Sequence, residues 1–174
     1  MTILHGIKAS MEEREAYLTI PVEKRLEISK GNEEFTPEAL GVSLSKEQIA
    51  DLAKGEEFIL TISENGLGKR SSAYHYRITN RGGSGIVNMV LSEKTGEVVA
   101  SMPANTNDEI MLITNNGKLI RCRLDAVRIT GRSTSGVILF KTEKDEKVVS
   151  ASLIADSSEE EEVLDEDGGD NTVM

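Results

Sequence analysis

The sequence predicts a mainly β protein, with two four-stranded antiparallel blades of a propeller-like fold and a helical segment before them. Three observations predict this fold class. A segment that begins at Glu56 is written twice, each copy alternates apolar runs with Gly-containing turns, and residues 1–55 carry helix-capping patterns. A repeat period of about 50 residues suits a unit of four short strands, which is the size of one propeller blade.

The repeat is visible at turns and at arginines. Asn65-Gly66 recurs as Asn116-Gly117, 51 positions further on. Val98-Val99 recurs as Val148-Val149 after 50 positions, so one residue is lost in the turn at 93–96. A fixed period with a single slip in a turn indicates a repeat architecture. The arginine pairs, all 51 positions apart, are Arg70 with Arg121, Arg77 with Arg128, and Arg81 with Arg132.

Short helices are predicted for residues 1–55. Ser10 with Glu13, and Ser45 with Gln48, have the spacing of a capping box, in which each side chain binds the other residue's backbone amide. We expect Pro21 at a first helical position and Gly31 at a helix end. Two interpretations stay open: a helical insertion packed beside the repeats, or a helical arm that binds a partner.

Each repeat is predicted to contain two antiparallel hairpins. In the first copy, the apolar run 58–62 predicts a strand buried on both faces, and the Asn65-Gly66 turn returns the chain through Lys69 and Arg70. An irregular excursion over 71–80 leads to a second hairpin of 86–91 with 97–102. In the second copy, 110–114 is predicted to pair with 119–123, and 137–141 with 147–153. The predicted units are residues 1–55, 56–105, 106–153 and 154–174.

Two blades have only a modest shared core, and terminal blades expose sheet edges. We therefore expect these blades either to end a larger disc or to cover their edges by self-association.

Charge is unevenly distributed along the chain. The formal net charge is -10; residues 1–55 contribute -3, residues 56–151 contribute +2, and residues 152–174 contribute -9. The last segment is predicted to be a disordered acidic tail, which either keeps the protein soluble or competes with a ligand for the basic residues of the repeats. Cys122 is the single cysteine, so no intrachain disulfide forms, and no apolar run or signal peptide predicts membrane insertion or secretion. A cytoplasmic location is expected.

Basic residues recur at equivalent places in the two copies. Guanidinium groups bind phosphate bidentately, and nearby glycines let backbone amides approach, so an array of arginines on one rim suits a DNA backbone. The alternatives are a solvated outer face and a surface for acidic protein partners. The candidate DNA-binding residues are Lys69, Arg70, Arg77, Arg81, Lys118, Arg121, Arg128 and Arg132.

Catalysis has little support in the sequence. His5 and His75 have no ligand-like neighbours, and Cys122 lies in a strand pattern as a small core residue. The glycine-rich stretch 80–85 lacks the Lys-Ser/Thr ending of a phosphate-binding loop. No catalytic residue, metal site or cofactor site is predicted. Of the three functional hypotheses, which are a DNA-binding module, a module that binds acidic proteins and a small enzyme, the sequence favours the enzyme least. Tyr17, Tyr74 and Tyr76 have no activating base nearby in sequence.

The motifs of the two copies resemble a known family. Residues 56–152 closely resemble the last two blades of the C-terminal β-pinwheel of DNA gyrase A, and residues 1–55 resemble a helical insertion that some bacterial relatives carry between blades. The resemblance rests on the stretches 64–70, 76–85, 117–122 and 128–132. Two family features are missing: the Gln-Arg-Arg-Gly-Gly-Lys-Gly box of the first blade, of which 80–85 is a degenerate echo, and the cleavage domain with its catalytic tyrosine.

The resemblance implies a disc whose basic perimeter bends double-stranded DNA, so that ATP-driven strand passage introduces negative supercoils. The implied partners are double-stranded DNA, the remainder of gyrase A, and gyrase B in a heterotetramer; no membrane is involved. ATP and Mg²⁺ are implied for the holoenzyme and bound elsewhere. This stretch is expected to bind DNA weakly or not at all and not to cut it. The alternatives are the matching protein of topoisomerase IV and a propeller that binds proteins.

Overall fold

The computed structural model describes residues 4–6, 8–31, 34–79 and 81–154. It confirms a mainly β protein with two antiparallel sheets and a helical segment before them. The predicted acidic tail lies outside the described residues from position 155 onward. Within the described ranges, the helices are all too short or too polar to cross a membrane.

Four short helices precede the sheets, and both predicted capping boxes are present. The Glu13 amide donates to Ser10 Oγ at 3.1 Å and the Ser10 amide donates to Glu13 Oε2 at 2.7 Å; Ser45 and Gln48 repeat the arrangement at 3.2 and 2.9 Å. Pro21 caps its helix, which begins one residue later than predicted. The helices are α1 (Met11–Leu18), α2 (Val22–Ser29), α3 (Pro37–Leu40) and α4 (Lys46–Lys54).

The helical segment is packed firmly against the first repeat. Its core includes Tyr17, Ile49 and Leu52, and it is completed by Tyr74, which belongs to the repeat. The Tyr17 and Tyr74 rings meet edge to face at 5.7 Å, and the Tyr74 hydroxyl donates to the Leu52 carbonyl at 2.9 Å. The helices are therefore packed against the first repeat, whereas their identification as an insertion between blades stays a prediction.

A buried ion pair joins the same two units. Arg25 of α2 binds the Glu56 carboxylate, and the side chains of these two residues are only 6% and 3% exposed. The Tyr17 hydroxyl donates to the other Glu56 oxygen at 2.9 Å, and the Arg25 guanidinium lies over the Tyr17 ring. Because a buried charge without a partner is costly, this network fixes α2 against the residues that lead into the first sheet.

The first sheet draws strands from both repeats. Its members are β1 (Phe58–Ser63), β2 (Leu67–Ser72), β3 (Val98–Pro103) and β6 (Val137–Ile138), in the order β3-β1-β2-β6. Every residue of β1 is buried, as its continuous apolar run predicts. Neighbouring strands are antiparallel, with Leu60 opposite Arg70 on one side and Met102 on the other.

The second sheet has three strands among the described residues: β4 (Glu109–Thr114), β5 (Leu119–Arg123) and β7 (Val148–Ile154), in the order β5-β4-β7. Both Asn-Gly turns form as predicted, with Gly66 at φ +74° and Gly117 at φ +79°. The two sheets share one apolar core, to which Leu60 and Ile62 of β1 and Ile110 and Leu112 of β4 contribute.

The predicted second hairpin of each repeat is wrong. Residues 86–91 form no strand, and β6 pairs with β2 of the first repeat instead of with β7 of its own. Gly66 and Gly68 permit this exchange, because they leave room for the incoming chain. A Cβ atom on Gly66 would lie 2.1 Å from the Phe140 carbonyl oxygen, and one on Gly68 would lie 2.3 Å from a Leu139 methyl group. The exchanged segment is secured by the Leu139 and Phe140 amides, which donate to the Gly66 carbonyl at 2.9 and 3.1 Å.

Candidate nucleic-acid interface

The loop after β5 lies against β2 and carries two of the predicted DNA-binding arginines. The Arg70 amide donates to the Arg128 carbonyl at 3.1 Å, and the Thr130 amide donates to the Arg70 carbonyl at 2.8 Å. These bonds form an isolated parallel bridge between Arg70 and Ile129. The main chain that bears Arg128 and Arg132 is therefore supported by the sheet of the first repeat.

Lys69 and Arg70 differ from the expectation of a shared exposed rim. Both lie on β2, where Lys69 is 0% and Arg70 3% exposed. The Arg70 guanidinium donates to the Val127 carbonyl and to Thr106 Oγ1, both at 3.0 Å. Burial lowers the pKa of both side chains, to about 8 for Lys69. The reason is the strand exchange, which covers β2 with chain from the second repeat.

The Arg132 side chain joins two arginine loops. The first carries Arg77 and Arg81, and the second is the loop after β5, which carries Arg128 and Arg132. The Arg132 Nη1 atom donates to the Val87 carbonyl at 2.6 Å, and its guanidinium lies 5.9 Å from the centre of the Tyr76 ring. Tyr76 and Val87 stand at the two ends of the segment that contains Arg77 and Arg81. Arg77 and Arg132 also line one pocket of about 320 Å³ between this segment and α1, with Arg14 on the helical side.

Three arginines of these loops present their charge to solvent. Arg77, Arg81 and Arg128 are exposed, and the described residues offer none of them a carboxylate within ion-pairing distance. The two ends of the segment 76–87 are tied to β1, because the Tyr76 hydroxyl binds Asn88 and the Asn88 side-chain amide donates to Thr61 Oγ1 at 2.9 Å. A supported loop with unneutralised guanidinium groups suits phosphate oxygens.

Lys118 and Arg121 are already bound to carboxylates of this chain. Lys118 Nζ lies 2.7 Å from Glu143 and 3.2 Å from Glu146, and hydrogen bonding to these groups raises its pKa. Arg121 pairs with Glu109 across the β4–β5 hairpin. Neighbouring Arg123, which is not among the predicted residues, pairs with Asp125 at 2.7 Å. The eight predicted residues thus fall into a buried pair, an acid-paired pair and the four arginines of the two loops.

The three tyrosines are occupied in structural contacts. Burial raises the pKa of the Tyr17, Tyr74 and Tyr76 hydroxyls, which makes them poorer nucleophiles. Burial lowers the pKa of His75, and His5 lies 3.0 Å from a Glu57 oxygen. In the described part of the chain, no group of three or more His, Cys, Asp or Glu side chains is arranged to hold a metal ion.

Sequence reasoning missed three residues that contact the arginine loops. The Tyr76 ring packs against the Arg132 guanidinium, and Asn88 binds Thr61 of β1 at the end of the first loop. Arg14 of α1 lines the same pocket as Arg77 and Arg132. The repeat pattern carries no signal for Asn88 or Arg14, because the first binds across the sheet and the second belongs to the helical segment.

Two sheets that exchange a strand between successive repeats define a propeller-like protein built from blades. The description "DNA gyrase C-terminal domain, beta-propeller" belongs to a family model that matches residues 57–105 and 108–155. The chain therefore belongs to the family of DNA gyrase C-terminal β-propeller domains, with two repeats of that unit.

Relatives agree with this assignment. DNA gyrase A of Rickettsia prowazekii is 64% identical over 99% of this chain, and that of Granulibacter bethesdensis is 40% identical over 98%. The chain spans 19% of the length of each of these relatives. A solved structure of the DNA gyrase A C-terminal domain matches 59% of this chain and 35% of its own, at 28% identity and a TM-score of 0.53. The C-terminal domain of DNA topoisomerase IV shares the fold, at 23% identity and a TM-score of 0.53.

Proposed function

We propose that this chain is a DNA-binding and DNA-wrapping part of a gyrase A protein. The observation that carries the proposal is the pair of arginine loops, in which Arg77, Arg81 and Arg128 are exposed and Arg132 ties one loop to the other. Such groups bind the phosphate backbone, so the interaction has no need of a particular base sequence. Lys118 and Arg121 contribute less, because carboxylates of the chain already neutralise them.

Wrapping follows from repetition of this unit around a curved rim. Bending a 20–30 bp site smoothly costs about 1–6 kcal/mol, which a few phosphate contacts from one loop do not offset alone. Loops at equivalent places on successive blades distribute the contacts along the bend. For this reason we expect two repeats to bind duplex DNA weakly, and the complete set of blades to bend it.

Further activities belong to the complete gyrase A protein. We propose that the wrap favours negative supercoiling by an ATP-dependent type II topoisomerase, in which this stretch joins the remainder of gyrase A and its partner gyrase B in the bacterial cytoplasm. ATP and Mg²⁺ are proposed to act in the holoenzyme and outside this stretch. The stretch itself is proposed not to cut DNA, since Tyr17, Tyr74 and Tyr76 are bound into the packing between helices and sheet.

The test is binding and bending of unrelated duplexes. Several duplexes of about 150 bp, one persistence length, are titrated with the chain at low salt in a gel-retardation assay. The distance between their ends is measured by energy transfer, both with this chain and with a complete gyrase A that contains it. We expect similar affinity for every sequence and closer ends with the complete gyrase A. Binding limited to one sequence, or no binding at low salt by either the chain or the complete gyrase A, would refute the proposal and favour a surface that binds proteins.

A further inference from the structure

The side chain of Lys69 ends in an ammonium group that is enclosed by the chain. Lys69 is 0% exposed. Its Nζ atom donates to the Gly131 carbonyl at 3.0 Å, to Thr134 Oγ1 at 3.3 Å and to the Arg132 carbonyl. An ammonium group has three donors, so these three acceptors satisfy it completely. All three acceptors belong to the second repeat, whereas Lys69 lies on β2 of the first.

The acceptors form a closed turn around the ammonium. Thr134 Oγ1 also donates to the Gly131 carbonyl at 3.0 Å and lies 3.0 Å from Thr130 Oγ1. The Thr134 carbonyl accepts a hydrogen bond from the Val90 amide at 3.1 Å, which connects the turn to the chain just after the first arginine loop. The main chain on both sides of Arg132 is thus fixed in position, and its side chain leaves the turn toward Val87 and Tyr76.

We propose that Lys69 is the positioning residue of the DNA-binding surface: it holds the main chain at residues 131–134 so that Arg132 joins the two arginine loops in a phosphate-binding arrangement. The inference rests on the DNA-binding function proposed above and reassigns a residue that the sequence places among the DNA contacts. A side chain with no exposed surface and three internal acceptors does not reach phosphate while these bonds hold.

The blade itself does not require the ammonium. The equivalent position in the second repeat, 51 residues further on, is Ile120, which occupies the same place on β5. An apolar residue therefore serves the strand pairing, and the lysine adds the bond between repeats. Lys69→Met keeps an unbranched side chain, one atom shorter than lysine, and removes its three donors, so this variant separates the two roles.

The titration of Lys69 provides an independent measurement. Burial, and secondarily the positive charge of Arg132, lower its pKa to about 8. Loss of the proton leaves two donors for three acceptors, and one acceptor then faces a lone pair. The charged or ionisable neighbours of Lys69 are Arg132 and His75, and burial lowers the pKa of His75 from its ordinary value, away from this range. The register partner of Lys69 on β1 is Thr61, which does not titrate.

The experiment compares the wild-type chain with Lys69→Met and with Lys141→Met, a control that removes an exposed lysine of the second repeat. Hydrogen exchange at the amides of 130–135 and affinity for a short duplex are measured at fixed ionic strength from pH about 7 to about 9.5, across the titration of Lys69. We expect Lys69→Met to exchange faster in this segment and to bind DNA roughly tenfold more weakly. Wild-type affinity should fall as pH rises through about 8, and the Lys69→Met variant should lack this step. The control should behave as the wild type does.

Three results would overturn the inference. Faster exchange with unchanged DNA affinity would mean that the order of the turn does not matter for binding. Weaker binding with unchanged exchange would make Lys69 a direct contact. A wild-type affinity that stays level across the pH range would contradict it even if the variant fails to fold. Should the wild-type chain not bind duplex DNA at all, the proposed function fails first, and the exchange data alone would still report on the bond between repeats.

Discussion

Removal of two exposed arginines is expected to change how DNA binding depends on salt. Arg81 and Arg128 lie on different loops, and among the described residues neither side chain has a hydrogen-bond or ion-pair partner. Replacing both with alanine deletes two positive charges and leaves the contacts of both sheets in place. The variant therefore tests phosphate contact without a large effect on folding.

The size of the effect follows from counterion release. Four phosphate contacts, one for each loop arginine, give a slope of about -3.6 in log K against log salt, because each contributes about -0.9. An increase from about 50 to about 200 mM salt then weakens binding roughly 150-fold. With two contacts the slope is about -1.8, and the loss over the same range is roughly 12-fold.

The assay is fluorescence anisotropy of a labelled duplex at five or so salt concentrations within that range. Arg121→Ala with Arg123→Ala is the matched control, since it makes the same substitutions at two arginines that are 64% and 73% exposed but are paired with Glu109 and Asp125. We expect the control to keep a slope near that of the wild type. Equal slopes for the two double variants would refute the assignment of the loops as the phosphate-binding surface.

Three further predictions concern the fold and the tail. Gly66→Ala should lower the unfolding temperature more than Gly117→Ala, because both glycines have positive φ but only Gly66 faces a backbone oxygen 2.1 Å from the new Cβ; equal midpoints would contradict the strand exchange. Glu56→Leu should cost about 3–5 kcal/mol in urea unfolding, because Arg25 is left buried and unpaired; adding Arg25→Met should recover part of this, and a failure to recover would locate the cost elsewhere. Removal of residues 156–174 should tighten DNA binding at low salt, because it deletes nine acidic charges; an unchanged Kd would show that the tail does not compete.

Local chemistry made much of the fold predictable. The two capping boxes, the two Asn-Gly turns and the buried strand at 58–62 each depend on residues close together in sequence, and each is confirmed. The internal repeat identified the blade as the unit. The prediction of mainly β structure with helices before it therefore needed no knowledge of distant contacts.

Strand exchange was not predictable in the same way. A repeat shows that residues 86–91 and 137–142 are equivalent, but it does not show which β-strand each will pair with. Pairing within a repeat and pairing with the previous repeat satisfy the same hydrophobic pattern. The choice is made by the space above Gly66 and Gly68, which is visible only when the incoming Leu139 and Phe140 are in place.

The same exchange explains why equivalent arginines have different roles. Arg70 and Arg121 occupy one repeat position, yet Arg70 is buried under the loop of the second repeat and Arg121 is exposed beside Glu109. The difference is the neighbour: β2 is covered by β6 and the loop before it, whereas β5 has no strand on its outer side among the described residues. A repeated basic residue on such a strand becomes structural wherever another blade follows. Arginines on the loops escape this cover, so a DNA-binding rim built from many blades must depend on the loops more than on the strands.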